Sequence, residues 1–156
     1  MSSSVPRRVR GSAGFTLIEL MVVVGIAAVL GTLAVSGYTN SVRKSRRTEA
    51  RSALLDFASR EERYMSTNSK YSTTPSDLGY TGPFPIVIGS GYYQVATPAV
   101  VAATSAVPAS YTFTATPVAG KGQDKDAACQ TFSVDSTGKQ TAYNSGSADS
   151  TATCWN

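Results

Sequence analysis

Gly14 to Gly25 reads GFTLIELMVVVG. It opens an apolar run that continues to Tyr38, and within that run the only charged residue is Glu19. As a helix, Phe15 to Tyr38 covers roughly 36 Å at 1.5 Å per residue, enough to cross a hydrocarbon core of about 30 Å. An acidic side chain inside such a helix costs about 3 kcal/mol at its centre on insertion scales. Glu19 therefore either holds a partner or lies shallow enough to reach the headgroups.

The segment before it, MSSSVPRRVRGSAG (residues 1–14), is polar and basic, with Arg7, Arg8 and Arg10. In an ordinary secretory signal the small-residue cleavage site follows the apolar region. Here the small residues Gly11 to Gly14 precede it, so cleavage after Gly14 leaves the whole apolar segment on the product. Arg43, Lys44, Arg46 and Arg47 beyond the run balance the leader arginines, and the distribution of Lys and Arg gives no orientation.

After Tyr38 the pattern turns amphipathic. Ala50, Ala53, Leu54, Phe57, Ala58, Tyr64 and Met65 recur at three- and four-residue spacing, with Arg47, Arg51, Asp56, Arg60 and Arg63 mostly opposite. No proline interrupts Phe15 to Lys70, which predicts one helix from Phe15 to about Met65, ending at Ser66–Asn68. Asp56 and Arg60 stand one turn apart and are placed to pair. Residues 69–91 read as loop, rich in Pro, Gly, Ser and Thr. Strand patterns follow at YYQVAT (92–97), YTFTAT (111–116), TFSVD (131–135) and GKQTAY (138–143), the last two flanking a turn at Asp135–Gly138. PAVVAATSAVPAS (98–110) reads as a low-complexity loop. The fold class is α+β: a long N-terminal helix packed on an antiparallel sheet of about four strands.

Composition narrows the function classes. The chain has 156 residues and a formal net charge of +4, but the basic excess lies in the N-terminal part. From Ser66 on, Lys70, Lys121, Lys125 and Lys139 face five aspartates. There is no histidine, which removes Ser-His-Asp and Cys-His catalysis. Two cysteines, Cys129 and Cys154, are too few for a cysteine-only zinc site. No enzyme, metal site or cofactor is expected. The cysteines are either reduced thiols in a cytosolic chain or a disulfide in an exported one, and export favours the bond. Asp124 and Asp126 read as a solvated loop rather than a calcium site. The Arg43–Arg51 cluster reads as a solubilising helix face just outside the membrane rather than a contact for phosphates or anionic lipid heads. Tyr71, Tyr80, Tyr92, Tyr93 and Tyr111 read as packing rather than base stacking.

GFTLIELMVVVGI after a short basic leader resembles the type IV pilin signature, and ARSALLDFASREERYMSTNSKY with C…FSVDSTGK…CW resembles the PilE-like and ComP-like pilins. The resemblance implies a type IV pilin-like fold in three parts. Residues 1–14 are a leader removed by a prepilin peptidase, 15–38 a transmembrane and filament-core helix, and 39–156 a globular domain. It also implies cleavage between Gly14 and Phe15, N-methylation of Phe15, and pairing of Glu19 with the amino terminus of a neighbouring subunit. Cys129 and Cys154 would correspond to the cysteine pair of the pilin C-terminal region. The implied function is a structural subunit of the pilus, a minor pilin, whose partners are other pilin subunits, the peptidase and the inner membrane. The domain would lie in the periplasm before assembly and on an extracellular filament after it. Two alternatives share the fold. One is a DNA-uptake receptor, for which Lys121, Lys125 and Lys139 would have to share one exposed edge. The other is a type II secretion pseudopilin. Ser36 stands near the place where related pilins commonly carry proline, and Ser36-Gly37 is also a kink-prone pair.

Overall fold

The computed structural model describes residues 14–155, with the side chains of all but 33–36. The leader arginines and the rest of residues 1–13 lie outside the described residues. The chain divides at Thr39 into two compact units.

Helix α1 spans Leu17–Asn68, 52 residues, unbroken through Ser36 and Gly37. It starts two residues beyond Phe15 because Thr16 caps it. The Glu19 N–H donates to Thr16 Oγ1 at 3.3 Å, and Thr16 with Glu19 three residues on has the spacing of a capping box. Its C-terminus is closed by Asn68, whose side chain donates to the Tyr64 carbonyl at 3.0 Å. Ser69, at φ 55°, then turns the chain away.

In the first unit the apolar residues of α1 are exposed on every side, among them Leu17, Ile18, Met21, Val24, Val29 and Leu30. In the second unit one face is buried. Ala50, Leu54 and Phe57 have essentially no exposure, and they follow the spacing of a single helical stripe.

That stripe packs on one antiparallel sheet. Its strands are β1 (Ile86–Ile88), β2 (Tyr93–Val95), β3 (Ala99–Val101), β4 (Ser110–Pro117), β5 (Thr131–Asp135) and β6 (Gln140–Tyr143). The order is β1-β2-β4-β5-β6, and β3 pairs with the first half of β4 while β2 pairs with its second half. The sheet thus has six strands rather than about four. The additional ones, β1 and β3, lie in segments whose composition reads as loop. Each has three residues and is ordered by pairing, β1 with the equally short β2 and β3 with the longer β4. Strand β4 alternates cleanly, with Tyr111, Phe113 and Ala115 inward. Phe113 meets Phe57 at 5.3 Å between ring centroids, and Phe57 stacks on Tyr80 at 4.0 Å. At the β5–β6 turn, Asp135 Oδ1 accepts from the Thr137 N–H, the Thr137 hydroxyl and the Lys139 N–H. These bonds, the Thr137 hydroxyl first, hold the Asp135 carboxyl below the usual carboxylate range.

The C-terminal tail is fastened to β6. The Ser150 N–H donates to the Ala142 carbonyl and the Ala142 N–H to Thr151 Oγ1, each at 2.8 Å. A single helical turn, α2 (Thr151–Cys154), then brings Cys154 to Cys129, and the two form a disulfide with both residues buried. Trp155 lies edge-on to Phe132 and donates its indole N–H to the Thr141 carbonyl at 2.9 Å. Closing a loop of 25 residues stabilises a fold by about 3.5 kcal/mol on the chain-entropy account. Cys154→Ser in the full chain is expected to lose about 3 kcal/mol in urea melts, against a typical domain total of about 5–15 kcal/mol. An unchanged midpoint would show that the hydrogen bonds to β6 hold the tail unaided.

Candidate functional site

Two regions bear on function, one in each unit. In the first, Gly14 and Phe15 precede α1 and are exposed. Phe15 keeps 81% of its surface exposed. Glu19 sits in the first helical turn, where the partial positive charge of the helix end favours a carboxylate. This local stabilisation comes in addition to any intermolecular partner, and the Thr16–Glu19 spacing was available to reveal it. A Cβ placed on Gly25 or Gly31 would meet nothing within 4 Å, so this chain's own packing does not require glycine there. With Ala27 and Ala28 they form a run of small residues that lets another helix approach closely.

In the second unit a polar network joins α1 to the β4–β5 loop. Arg47, which the sequence pattern puts on the polar face, instead lies on the side of the buried stripe, three residues before Ala50, because Asp126 there supplies its partner. Its guanidinium grips Asp126 with two hydrogen bonds of 2.7 Å, and both side chains are largely shielded from solvent. Gln123, fully buried, donates to Asp126 Oδ2 and to the Tyr93 hydroxyl, each at 3.0 Å, and reaches the Arg43 carbonyl at 3.5 Å. Burial pushes the Tyr93 hydroxyl up to about 12. Asp126 is therefore a buried anchor rather than part of a solvated loop, while Asp124 is exposed. The reading of Arg43–Arg51 as a solubilising face fails at two positions. Arg47 is consumed by Asp126, and the Arg46 guanidinium lies 3.4 Å above the Tyr92 ring. Arg60 and Asp56 do pair, at 2.8 Å. The Asp56 carboxyl is held low first by the Tyr80 hydroxyl and then by Arg60.

The three lysines proposed as DNA contacts are all exposed, but the fold separates them. Lys121 and Lys125 flank Gln123 in the β4–β5 loop, before β5 begins, and Gln123 and Asp126 of that loop bond to Arg43 and Arg47 of α1. Lys139 lies in the turn beyond the other end of β5, about 17 Å along the strand. The tyrosines serve as packing: Tyr93 and Tyr111 are core residues, and Tyr71 meets Tyr111 edge-on at 4.8 Å.

Glu61 is fully buried, and composition gave no reason to expect it there. Its place four residues after Phe57 put it on the same stripe. Oε1 accepts the Ser72 N–H, while Oε2 has no hydrogen-bond partner. Burial raises the carboxyl above its usual range, the Ser72 bond opposes that, and Glu62 and Asp77 add to it. An acid raised in the folded state binds its proton more tightly there than when unfolded. Its burial thus costs no stability below the unfolded value of 4.5, and the cost grows as pH rises through the folded value. Glu61→Gln keeps an acceptor for Ser72 and removes the charge. It is expected to be more stable than the parent at pH 7, by about 1 kcal/mol, an advantage that disappears toward pH 4. Urea melts across that range read it, and a less stable Glu61→Gln at pH 7 would mean that the charged form is the favoured one.

Comparison with known proteins places these features. Residues 36–133 match the family described as "Type IV minor pilin ComP, DNA uptake sequence receptor". Residues 9–35 match the "Prokaryotic N-terminal methylation motif". Over 67 residues, 43% of this chain and 30% of the relative, the sequence is 31% identical to the type IV major pilin protein PilA of Myxococcus xanthus. Over 70 residues it is 37% identical to the type II secretion system core protein G of Dickeya chrysanthemi, covering 45% of this chain and 46% of that one. Over 44 residues it is 43% identical to the prepilin peptidase-dependent protein D of Escherichia coli, covering 28% of this chain and 30% of that one. The matches thus span less than half the length of each of these relatives.

Proposed function

This chain belongs to the family of the type IV minor pilin ComP, DNA uptake sequence receptor, and from that premise we propose that it is a structural subunit of a type IV pilus filament. The observation that carries the reading is the uncovered apolar surface of α1 between Leu17 and Leu30. A large apolar surface that the chain leaves bare is a surface for lipid or for other protein. Before assembly it anchors the chain in the inner membrane; after assembly it packs among the helices of neighbouring subunits in an extracellular filament. A prepilin peptidase cuts between Gly14 and Phe15, and Phe15 becomes the methylated amino terminus. Glu19 then lies one turn from that terminus and pairs with the amine of the adjacent subunit, which keeps a carboxylate tolerable inside an apolar bundle. The role is mechanical and non-catalytic.

A second reading, DNA binding by the globular unit, is favoured by the family match over residues 36–133. The separation of Lys139 from Lys121 and Lys125 weighs against these three lysines as one contiguous contact. The similarity to a type II secretion core protein keeps a pseudopilin role as the third. The ComP-family match, which takes in most of the globular unit, supports a pilin over it.

The test of the leading reading is Glu19→Val in the native host. Removing the charge leaves a better membrane helix, so the variant is expected to insert and to be cleaved to a chain starting at Phe15. It is expected to enter sheared filaments at least about tenfold less than the parent, the factor that ~1.4 kcal/mol of lost pairing gives. Quantitative immunoblotting of membrane and filament fractions measures this. Equal incorporation would remove the pairing role of Glu19.

A further inference from the structure

We propose that Lys121 and Lys125 complete a basic collar that seats the globular unit on an anionic phospholipid surface while the chain is membrane-anchored. The inference rests on the anchor reading of the apolar helix. It assigns these lysines to lipid phosphates rather than to DNA.

Three observations carry it. The first is local geometry. Gln123 and Asp126 are buried against Arg43 and Arg47, which folds the β4–β5 loop onto the first polar turns of α1. Lys121 and Lys125 alternate with those buried residues and are exposed. The loop thereby adds two cations to Arg43 and Lys44 on the helix, while Arg46 is held over the Tyr92 ring.

The second is charge balance. Within this patch Arg47 and Asp126 neutralise each other. Asp124 is turned back to accept the Gly120 N–H at 3.2 Å. Glu49 is engaged by the Ser90 N–H and hydroxyl, an approach that leaves no room for a side chain at Gly89, whose φ is +51°. Four cations, Arg43, Lys44, Lys121 and Lys125, therefore stand against two carboxylates that are already hydrogen-bonded.

The third is position along the chain. Arg43 follows Tyr38, the last residue of the apolar run, by five residues, about 8 Å of helix rise, and Arg47 follows it by nine, about 14 Å. At physiological salt the screening length is about 8 Å, so the start of the collar lies within electrostatic reach of headgroups around the helix exit. Lys139 and Lys70 belong to other parts of the unit. Each basic residue at an anionic surface contributes about fivefold to the binding equilibrium. A collar of this size would hold the globular unit down until extraction into a filament.

The experiment uses the full chain in vesicles of phosphatidylcholine, with or without one third phosphatidylglycerol. Lysine acetylation is followed residue by residue by mass spectrometry, and flotation reports insertion. With the anionic lipid, Lys44, Lys121 and Lys125 are expected to react about fivefold more slowly, while Lys70 and Lys139 keep their rates. In 1 M salt, where screening shortens to about 3 Å, the difference should disappear. In Lys121→Gln/Lys125→Gln, an exposed pair that leaves the core intact, the protection of Lys44 should fall. Several results would overturn the proposal. Flotation with acetylation rates of Lys44, Lys121 and Lys125 that do not depend on lipid charge removes the collar and leaves the anchor standing. Failure to float with either vesicle removes both. Protection of Lys121 and Lys125 by duplex DNA but not by phosphatidylglycerol assigns the patch to nucleic acid. Undiminished protection of Lys44 in the double variant removes the loop lysines from the surface.

Discussion

The constraint on which the rest depends is that one helix serves two surroundings. From Leu17 to Leu30 the side chains of α1, Glu19 apart, are apolar on every side and uncovered, so among the described residues nothing shields them from water. Such a surface is stable only in lipid or among like helices. C-terminal to Tyr38 the sequence changes to an amphipathic pattern. The helix changes character without a break, and its exposed sides from Asn40 onward become polar while one stripe stays buried.

The globular unit is organised around that stripe. Ala50, Leu54 and Phe57 supply apolar contact with the sheet, and Arg47 and Glu61 extend the same face at its two ends with charged groups. The two charges are handled differently. Arg47 meets a carboxylate in a two-pronged contact that also secures the loop before Cys129, the arrangement in which a buried pair is tolerated. Glu61 has one backbone donor and one unpartnered oxygen, so its burial works against the folded state at neutral pH. Removing a buried ion-pair partner commonly costs 3–5 kcal/mol, and the Cys129–Cys154 bond holds the far side of the same loop. The β4–β5 loop is thus fixed from both flanks, by α1 and by the tail, and presents its exposed lysines from a rigid base.

Much of this was legible in the sequence, for stated physical reasons. The apolar run with its single Glu19, the stripe at helical spacing, the alternation of Tyr111, Phe113 and Ala115, and the Asp135–Gly138 turn all follow from local periodicity and turn chemistry. Strands β1 and β3 were hidden because Pro83, Pro85 and Gly89 crowd the one, and small residues dilute the other. Both exist through pairing with β2 and β4 rather than through any pattern of their own. Arg47 and Glu61 stood at stripe positions, but their charge argued for solvent. The burial of Gln123 and Asp126 had no local signal at all, since it depends on a helix some eighty residues earlier in the chain. The separation of Lys139 from the other lysines likewise appears only once β5 is placed.

The central claim is that the bare apolar face of α1 is covered by lipid and then by other pilin helices. The most direct measurement is site-specific photocross-linking from Val22 and from Leu30, replaced one at a time by a benzophenone amino acid. Adducts would be mapped by mass spectrometry in membranes and in sheared filaments. The expected result is lipid adducts in membranes and, in filaments, adducts to the corresponding apolar segment of neighbouring subunits. Adducts to residues 40–155 of the same chain in both fractions would contradict it, because the apolar face would then be covered by the protein's own globular unit.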